Sequence, residues 1–171
     1  MELSRWRRAG INFSGAFLIA LALAACSDTP KPETEIGQGG RNAPAVPGSA
    51  RDFAVNVGDI VYFTTDSVDL SPEAQQTLAN QARWLQQYSQ YTITIEGHAD
   101  ERGTREYNIA LGAKRAQAVR TYLSQHRVNG SRIRTVSYGK ERPVAVCNDI
   151  SCWSQNRRAQ TVLNNRADAR S

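Results

Sequence analysis

The chain has 171 residues, 40% apolar and 22% charged, with a formal charge of +5. That length supports one domain with a real core plus extensions, and three Trp, six Tyr and four Phe exclude a chain disordered throughout. Collagen-like, coiled-coil and multi-span membrane classes fail on composition. Arg5, Arg7 and Arg8 sit with Glu2 in the first 25 residues; without that segment the charge is +3, which leaves little support for nucleic-acid binding. Those arginines precede an apolar run, Phe17-Leu18-Ile19-Ala20-Leu21-Ala22-Leu23, that closes on Ala24-Ala25 before Cys26. A basic start, a short apolar stretch and a small-residue end predict a secretory signal over 1–25. The alternative is a membrane-spanning anchor, for which the run is short.

Leu23-Ala24-Ala25-Cys26 resembles the lipobox of bacterial lipoproteins, whose cysteine becomes the lipidated first residue of the mature chain. The chemistry needs a thiol to carry the lipid and small neighbours to admit the peptidase; two or more acyl chains then make anchoring stable. Ser27 in place of an aspartate resembles a signal for the outer membrane. Residues 27–52 hold four of the six prolines and four of the twelve glycines, with almost no large apolar side chain. The lipidated Cys26 and this stretch are therefore read as a flexible linker over 26–52, either a tether of functional length or a neutral spacer.

From residue 53 the period of the apolar residues alternates. Ile60-Val61-Tyr62-Phe63 predicts a short strand. Ser71-Pro72-Glu73 opens a helix with a capping hydroxyl, a proline at the first position and an acid in the first turn, and Leu78, Ala82 and Leu85 carry it to about Tyr88. Tyr91 to Glu96 alternates strictly, as a strand with one buried face does. A polar loop from Gly97 to Thr104 leads to a long helix over about 105–125. Asn129-Gly130 turns the chain into a third strand, Ile133 to Tyr138. A loop holding Cys147 and Cys152 precedes a fourth, Ala159 to Leu163. The predicted fold is an α/β, two-layer α+β sandwich: βαβαββ, a mixed four-stranded sheet packed on two main helices over 53–166, with 167–171 a tail.

The long helix carries a charge where the pattern asks for an apolar residue. Tyr107, Leu111, Ala118, Val119 and Tyr122 make an apolar stripe, and Arg115 falls on it, four residues from Leu111 and from Val119. A guanidinium near a buried face needs an anion. Asp100 in the preceding loop is a candidate, beside His98 and Glu101. Asp100 and Arg115 thus either face one cleft as an acid and a base for a ligand or form an ordinary ion pair. Gly97 and Gly103 let the loop turn tightly and leave N–H groups near the helix start.

These residues resemble a known family. Gly97-His98-Ala99-Asp100-Glu101-Arg102-Gly103-Thr104, then Tyr107-Asn108-Ile109-Ala110-Leu111-Gly112, Arg115-Ala116, Val136-Ser137-Tyr138-Gly139-Lys140-Glu141-Arg142-Pro143 and Asn156-Arg157-Arg158-Ala159 are similar, in order and spacing, to the OmpA-like peptidoglycan-binding domain. Within it they resemble the lipoprotein branch of the Tol–Pal system. The resemblance implies a protein on the outer membrane, facing the periplasm, that binds the diaminopimelate residue of the peptidoglycan stem peptide and partners TolB and other Tol proteins; the alternative is mainly a protein-interaction module that binds TolB. Such a residue ends in an ammonium and a carboxylate on one carbon, for which a fixed Asp and Arg are complementary. The implied binding residues are Asp100 and Arg115, with Asn108 and Leu111 shaping the cleft, Asp66 after the first strand, and Arg157 as a further contact. Thr65 stands where many relatives carry a large apolar residue. Gly112 replaces a serine common in the wider superfamily.

No serine lies in a nucleophile-elbow sequence, and Cys147 and Cys152 lack redox-motif spacing, so no enzyme is expected. The histidines, acids and thiols match no common metal pattern, and no cofactor is expected beyond the lipid on Cys26. His126 reads as a solvated cation at a helix end. With Cys26 consumed by lipid, two thiols remain in an oxidising compartment, and a Cys147–Cys152 disulfide is expected; two free thiols or a metal site are the alternatives.

Overall fold

The computed structural model of the chain describes residues 44–164. Cys26, the signal segment, most of the linker and the 167–171 tail lie outside the described residues. Four strands, β1 (Ile60–Tyr62), β2 (Thr92–His98), β3 (Ile133–Gly139) and β4 (Arg158–Asn164), form one mixed sheet in the order β1-β4-β2-β3. β4 runs antiparallel to both β1 and β2, and β2 is parallel to β3. The parallel pair requires a crossover, supplied by α3 (Arg105–Gln125); α2 (Pro72–Gln87) joins β1 to β2. This is the expected α+β sandwich.

Its helices form where the local chemistry dictates. The Ser71 hydroxyl accepts from the Ala74 N–H and Pro72 takes the first position of α2, whose inner face buries Ala74, Leu78, Gln81, Ala82, Trp84 and Leu85. Thr104 caps α3 by accepting from the Tyr107 N–H. Ile93 and Ile95, alternating along β2, meet Val119 and Leu123 of α3 and Leu78 and Leu85 of α2 in one core. Gln81 lies in that core without cost, because its amide donates to the Gly58 carbonyl at 2.7 Å and accepts from the Thr161 hydroxyl at 2.9 Å.

The structure differs from the sequence reading at four places. The linker does not run to Asp52: Ser49 caps a helical turn, α1 (Ala50–Asp52), which continues as a π-helical stretch over Phe53–Gly58. Its side chains dock on the domain, with the Phe53 and Trp84 ring centroids 4.9 Å apart and Asp52 accepting from the Trp84 indole at 2.9 Å, while just before it the Gly48 backbone carbonyl accepts from the Tyr91 hydroxyl at 2.8 Å. The cysteine loop holds a two-turn helix, α4 (Ile150–Asn156), capped by Asp149, so from β1 onward the order is βαβαβαβ rather than βαβαββ. β2 extends through Gly97 and His98, which the sequence placed in a loop. Finally, the buried stripe of α3 is Asn108, Gly112, Arg115, Ala116, Val119 and Leu123, so Tyr107, Leu111, Ala118 and Tyr122 stand beside it rather than on it.

Candidate functional site

The loop after β1, the loop after β2 and the first three turns of α3 enclose a cleft of about 240 Å³, lined by Thr65, Asp66, Asp100, Arg102, Gly103, Tyr107, Asn108, Leu111 and Arg115. Five of the six residues implied by the resemblance, Asp66, Asp100, Asn108, Leu111 and Arg115, meet there. Arg157 does not line it. That side chain is buried behind Asp100, donating to the carboxylate at 3.3 Å and to the Phe63 carbonyl at 3.1 Å. It supports the site from inside the protein.

Asp100 and Arg115 form no direct ion pair. Arg115 is fully buried at the floor of the cleft, under the Phe63 ring at 5.1 Å, and its fork is held by three carbonyl oxygens: Ser67 at 2.9 Å, His98 at 2.8 Å and Thr64 at 3.1 Å. A guanidinium has five donors, so two remain. Burial first, and then the charge of Arg157, pull its pKa down to about 10, against the attraction of Asp100, Asp66 and Tyr107. It stays charged at neutral pH. Asp100 is pushed up by burial, but bonds from the Arg102 side chain, from Arg157 and from the Arg102 backbone N–H outweigh this and hold it below its usual range. The cleft therefore pairs a fixed anion with a fixed cation whose direct partners are neutral carbonyls.

The rim is polar and tied together. Asp66, with φ of 53°, accepts from the Tyr107 hydroxyl across the mouth. Gly103 turns the chain into the Thr104 cap at φ of 84°, a conformation that favours glycine. The buried Asn108 amide donates to the Arg102 carbonyl at 2.7 Å, and Lys140 reaches the carbonyls of Glu101 at 3.1 Å and Gly103 at 2.7 Å. The sequence reading missed Arg102, Tyr107 and Trp153. An arginine two residues after the site aspartate is a readable signal. Trp153, whose indole donates to Glu101, gives none, because the two lie 52 positions apart.

No histidine or cysteine among the described residues lines the cleft. His98 points into the protein rather than the cleft; burial first, then the charges of Arg158 and Arg142, lower its pKa to about 4. Cys147 and Cys152 are joined as a disulfide with Cα atoms 5.7 Å apart. His126 ends α3, exposed and stacked on Tyr122 at 4.1 Å. Among the described residues no His, Cys, Asp and Glu group could hold a metal ion, and no helix is long and apolar enough to cross a membrane.

Sheet order, helix placement and this cleft together define a class. The OmpA family matches residues 62–158, and the chain belongs to it. More narrowly, it is one of the peptidoglycan-associated lipoproteins. It is 60% identical over 151 residues to the peptidoglycan-associated lipoprotein of Agrobacterium fabrum, covering 86% of this chain and 85% of that one. The crystal structure of the peptidoglycan-associated lipoprotein from Burkholderia pseudomallei is 42% identical, with a TM-score of 0.64 over 68% of this chain and 100% of that one. The C-terminal domain of Helicobacter pylori MotB, 22% identical with a TM-score of 0.59, covers 64% of this chain and 87% of its own and shares the fold. The chain is thus a lipoprotein of the cell envelope and not an enzyme.

Proposed function

We propose that the cleft grips the diaminopimelate residue of the peptidoglycan stem peptide, its ammonium on Asp100 and its carboxylate on Arg115. The observation that carries this reading is a buried, charged Arg115 whose direct partners are neutral carbonyls, on the same cleft as an ionised Asp100. Opposite charges fixed within one small cleft suit a ligand with both charges on one carbon, and an arginine fork can hold a carboxylate through two bonds. Arg115 lies at the floor of the cleft with two N–H donors left over for the carboxylate. Asn108 and Leu111 give the cleft its shape.

A lipid on Cys26 would place this grip on the outer membrane, facing the periplasm, so that the chain ties that membrane to the wall without any cofactor. Acyl mass on the membrane-extracted chain reads this out, and an unmodified Cys26 would refute it. We also propose, from the resemblance, that TolB and other Tol proteins bind the same rim, where Tyr107 and Arg102 are exposed; stem peptide should then compete with TolB.

Calorimetric titration of the full chain with a diaminopimelate-containing peptide tests the grip. Asp100→Ala and Arg115→Ala should each weaken binding by about 2–5 kcal/mol, more than tenfold. Arg115→Lys should also bind poorly, because a point charge lacks the fork. Unchanged affinity in these variants would reduce both residues to structural roles.

A further inference from the structure

Asp100 is saturated without any ligand. A carboxylate offers about four acceptor positions on its two oxygens. Oδ1 accepts from the Arg102 backbone N–H at 3.2 Å and from Arg102 Nε at 3.1 Å; Oδ2 accepts from Arg102 Nη2 at 2.7 Å and from Arg157 Nη1 at 3.3 Å. A ligand ammonium can therefore reach Asp100 only by taking a donor's place.

The two arginines are not equally free to yield. The Arg157 side chain is 7% exposed and also holds the Phe63 carbonyl, so its departure would break into the interior. The Arg102 side chain is 42% exposed and its guanidinium lies 4.2 Å over the Trp153 ring. Glu101, which accepts from the Trp153 indole, also attracts that guanidinium. The Arg102 backbone is fixed separately, through the Asn108 amide on its carbonyl. The side chain can swing while the loop stays.

We propose that Arg102 is a resident counter-ion of Asp100, which the ammonium of an incoming ligand displaces, and that the Trp153 face and Glu101 receive the guanidinium when it moves. This rests on the reading above that the cleft takes an ammonium beside a carboxylate. Binding is then an exchange of one charge-assisted contact for another, and the displaced charge keeps an aromatic face and an acid. Such an exchange holds the affinity below what an empty Asp100 would give, because only the fraction of molecules with Arg102 swung away is competent. The grip is thereby kept reversible.

Titration of the full chain in mild detergent tests this, with a diaminopimelate-containing peptide and with the same peptide acetylated on its side-chain amine. Arg102→Ala should bind the free-amine peptide on the order of tenfold more tightly than the natural chain and leave the acetylated peptide's affinity unchanged. Arg102→Gln, which keeps the length and gives up the charge, should move in the same direction, so the result does not depend on one variant folding. Equal or weaker binding of the free-amine peptide by both variants, with the natural chain binding normally, overturns the exchange alone and leaves Arg102 a bystander or a ligand contact. No binding by the natural chain or either variant overturns the reading of the cleft, and the exchange with it.

Discussion

A single side chain can carry a measurable pH dependence, and here it is His98. Its ring is buried beside Tyr138, at 5.6 Å between ring centroids, and neither ring nitrogen has a hydrogen-bond partner among the described residues. The neutral form is favoured by burial and by the charges of Arg158 and Arg142, which together lower the pKa from 6.5 to about 4. In the unfolded chain the imidazole protonates near 6.5, so between these values the unfolded state binds the extra proton. Stability from this group is complete above about pH 6.5, falls through the window from 6.5 to 4, and levels off below it. The loss is on the order of 3 kcal/mol. Thermal melts across that window should show the natural chain losing stability relative to His98→Phe as the pH falls; parallel curves would refute the assignment. His98 also shows how far residue chemistry reads from sequence. The sequence places it in the polar loop beside Asp100, whereas the extension of β2 by two residues buries its ring. Arg115, by contrast, was legible, because a cation among apolar helical positions has few explanations.

The elements assemble through contacts that composition alone does not reveal. α3 lies so close to β2 that a Cβ on Gly97 would fall 1.8 Å from the Gly112 carbonyl oxygen, and one on Gly112 would fall 2.4 Å from the Ser137 hydroxyl. That hydroxyl is fixed, donating to the Ile109 carbonyl at 2.7 Å and accepting from the Gly139 N–H at 3.2 Å. The glycine that departs from the superfamily's serine is thus explained by the serine opposite: Ser137 fills the space a side chain at 112 would need. The approach sets Asn108, Leu111 and Arg115 against the loop that carries Asp100. Strands and both long helices were readable because each is periodic and bounded by caps or turns. α4 was not, because its seven residues carry too little periodicity to separate them from a loop. Nor was α1 with its π-helical continuation, since prolines and glycines just upstream masked the first buried aromatic, Phe53. Both elements owe their order to tertiary contacts: α4 to the Cys147–Cys152 bridge and to the Asn156 amide group, which accepts from the Val144 and Ala145 N–H groups at 2.9 and 3.2 Å, and α1 to Trp84 and Tyr91. The Trp84 and Tyr91 contacts join residues 32 and 43 positions apart, which hides them in sequence.

Across the domain, β2 joins two ends with different duties. Its C-terminal end runs through His98 into Asp100 and the cleft. Tyr91, just before its other end, holds Gly48 at the first described residues of the chain. Seven strand residues span about 20 Å, so the entry clasp and the cleft are separated by the length of a strand hydrogen-bonded on both sides, to β3 and to β4. The two ends should also be separable by mutation. Removing everything before Phe53 deletes the Ser49 cap, the Asp52 bond to the Trp84 indole and the Gly48 bond to Tyr91. Compared with a chain starting at Pro44, this truncation should lower the melting temperature by on the order of 5–10 °C. It should leave the affinity for a diaminopimelate-containing peptide within about twofold, the scatter expected of sites with no shared partners. Melting curves and calorimetry on the two chains decide it. A fall in affinity matching the fall in stability would mean that the clasp shapes the cleft through the sheet, and that entry and grip work as one unit.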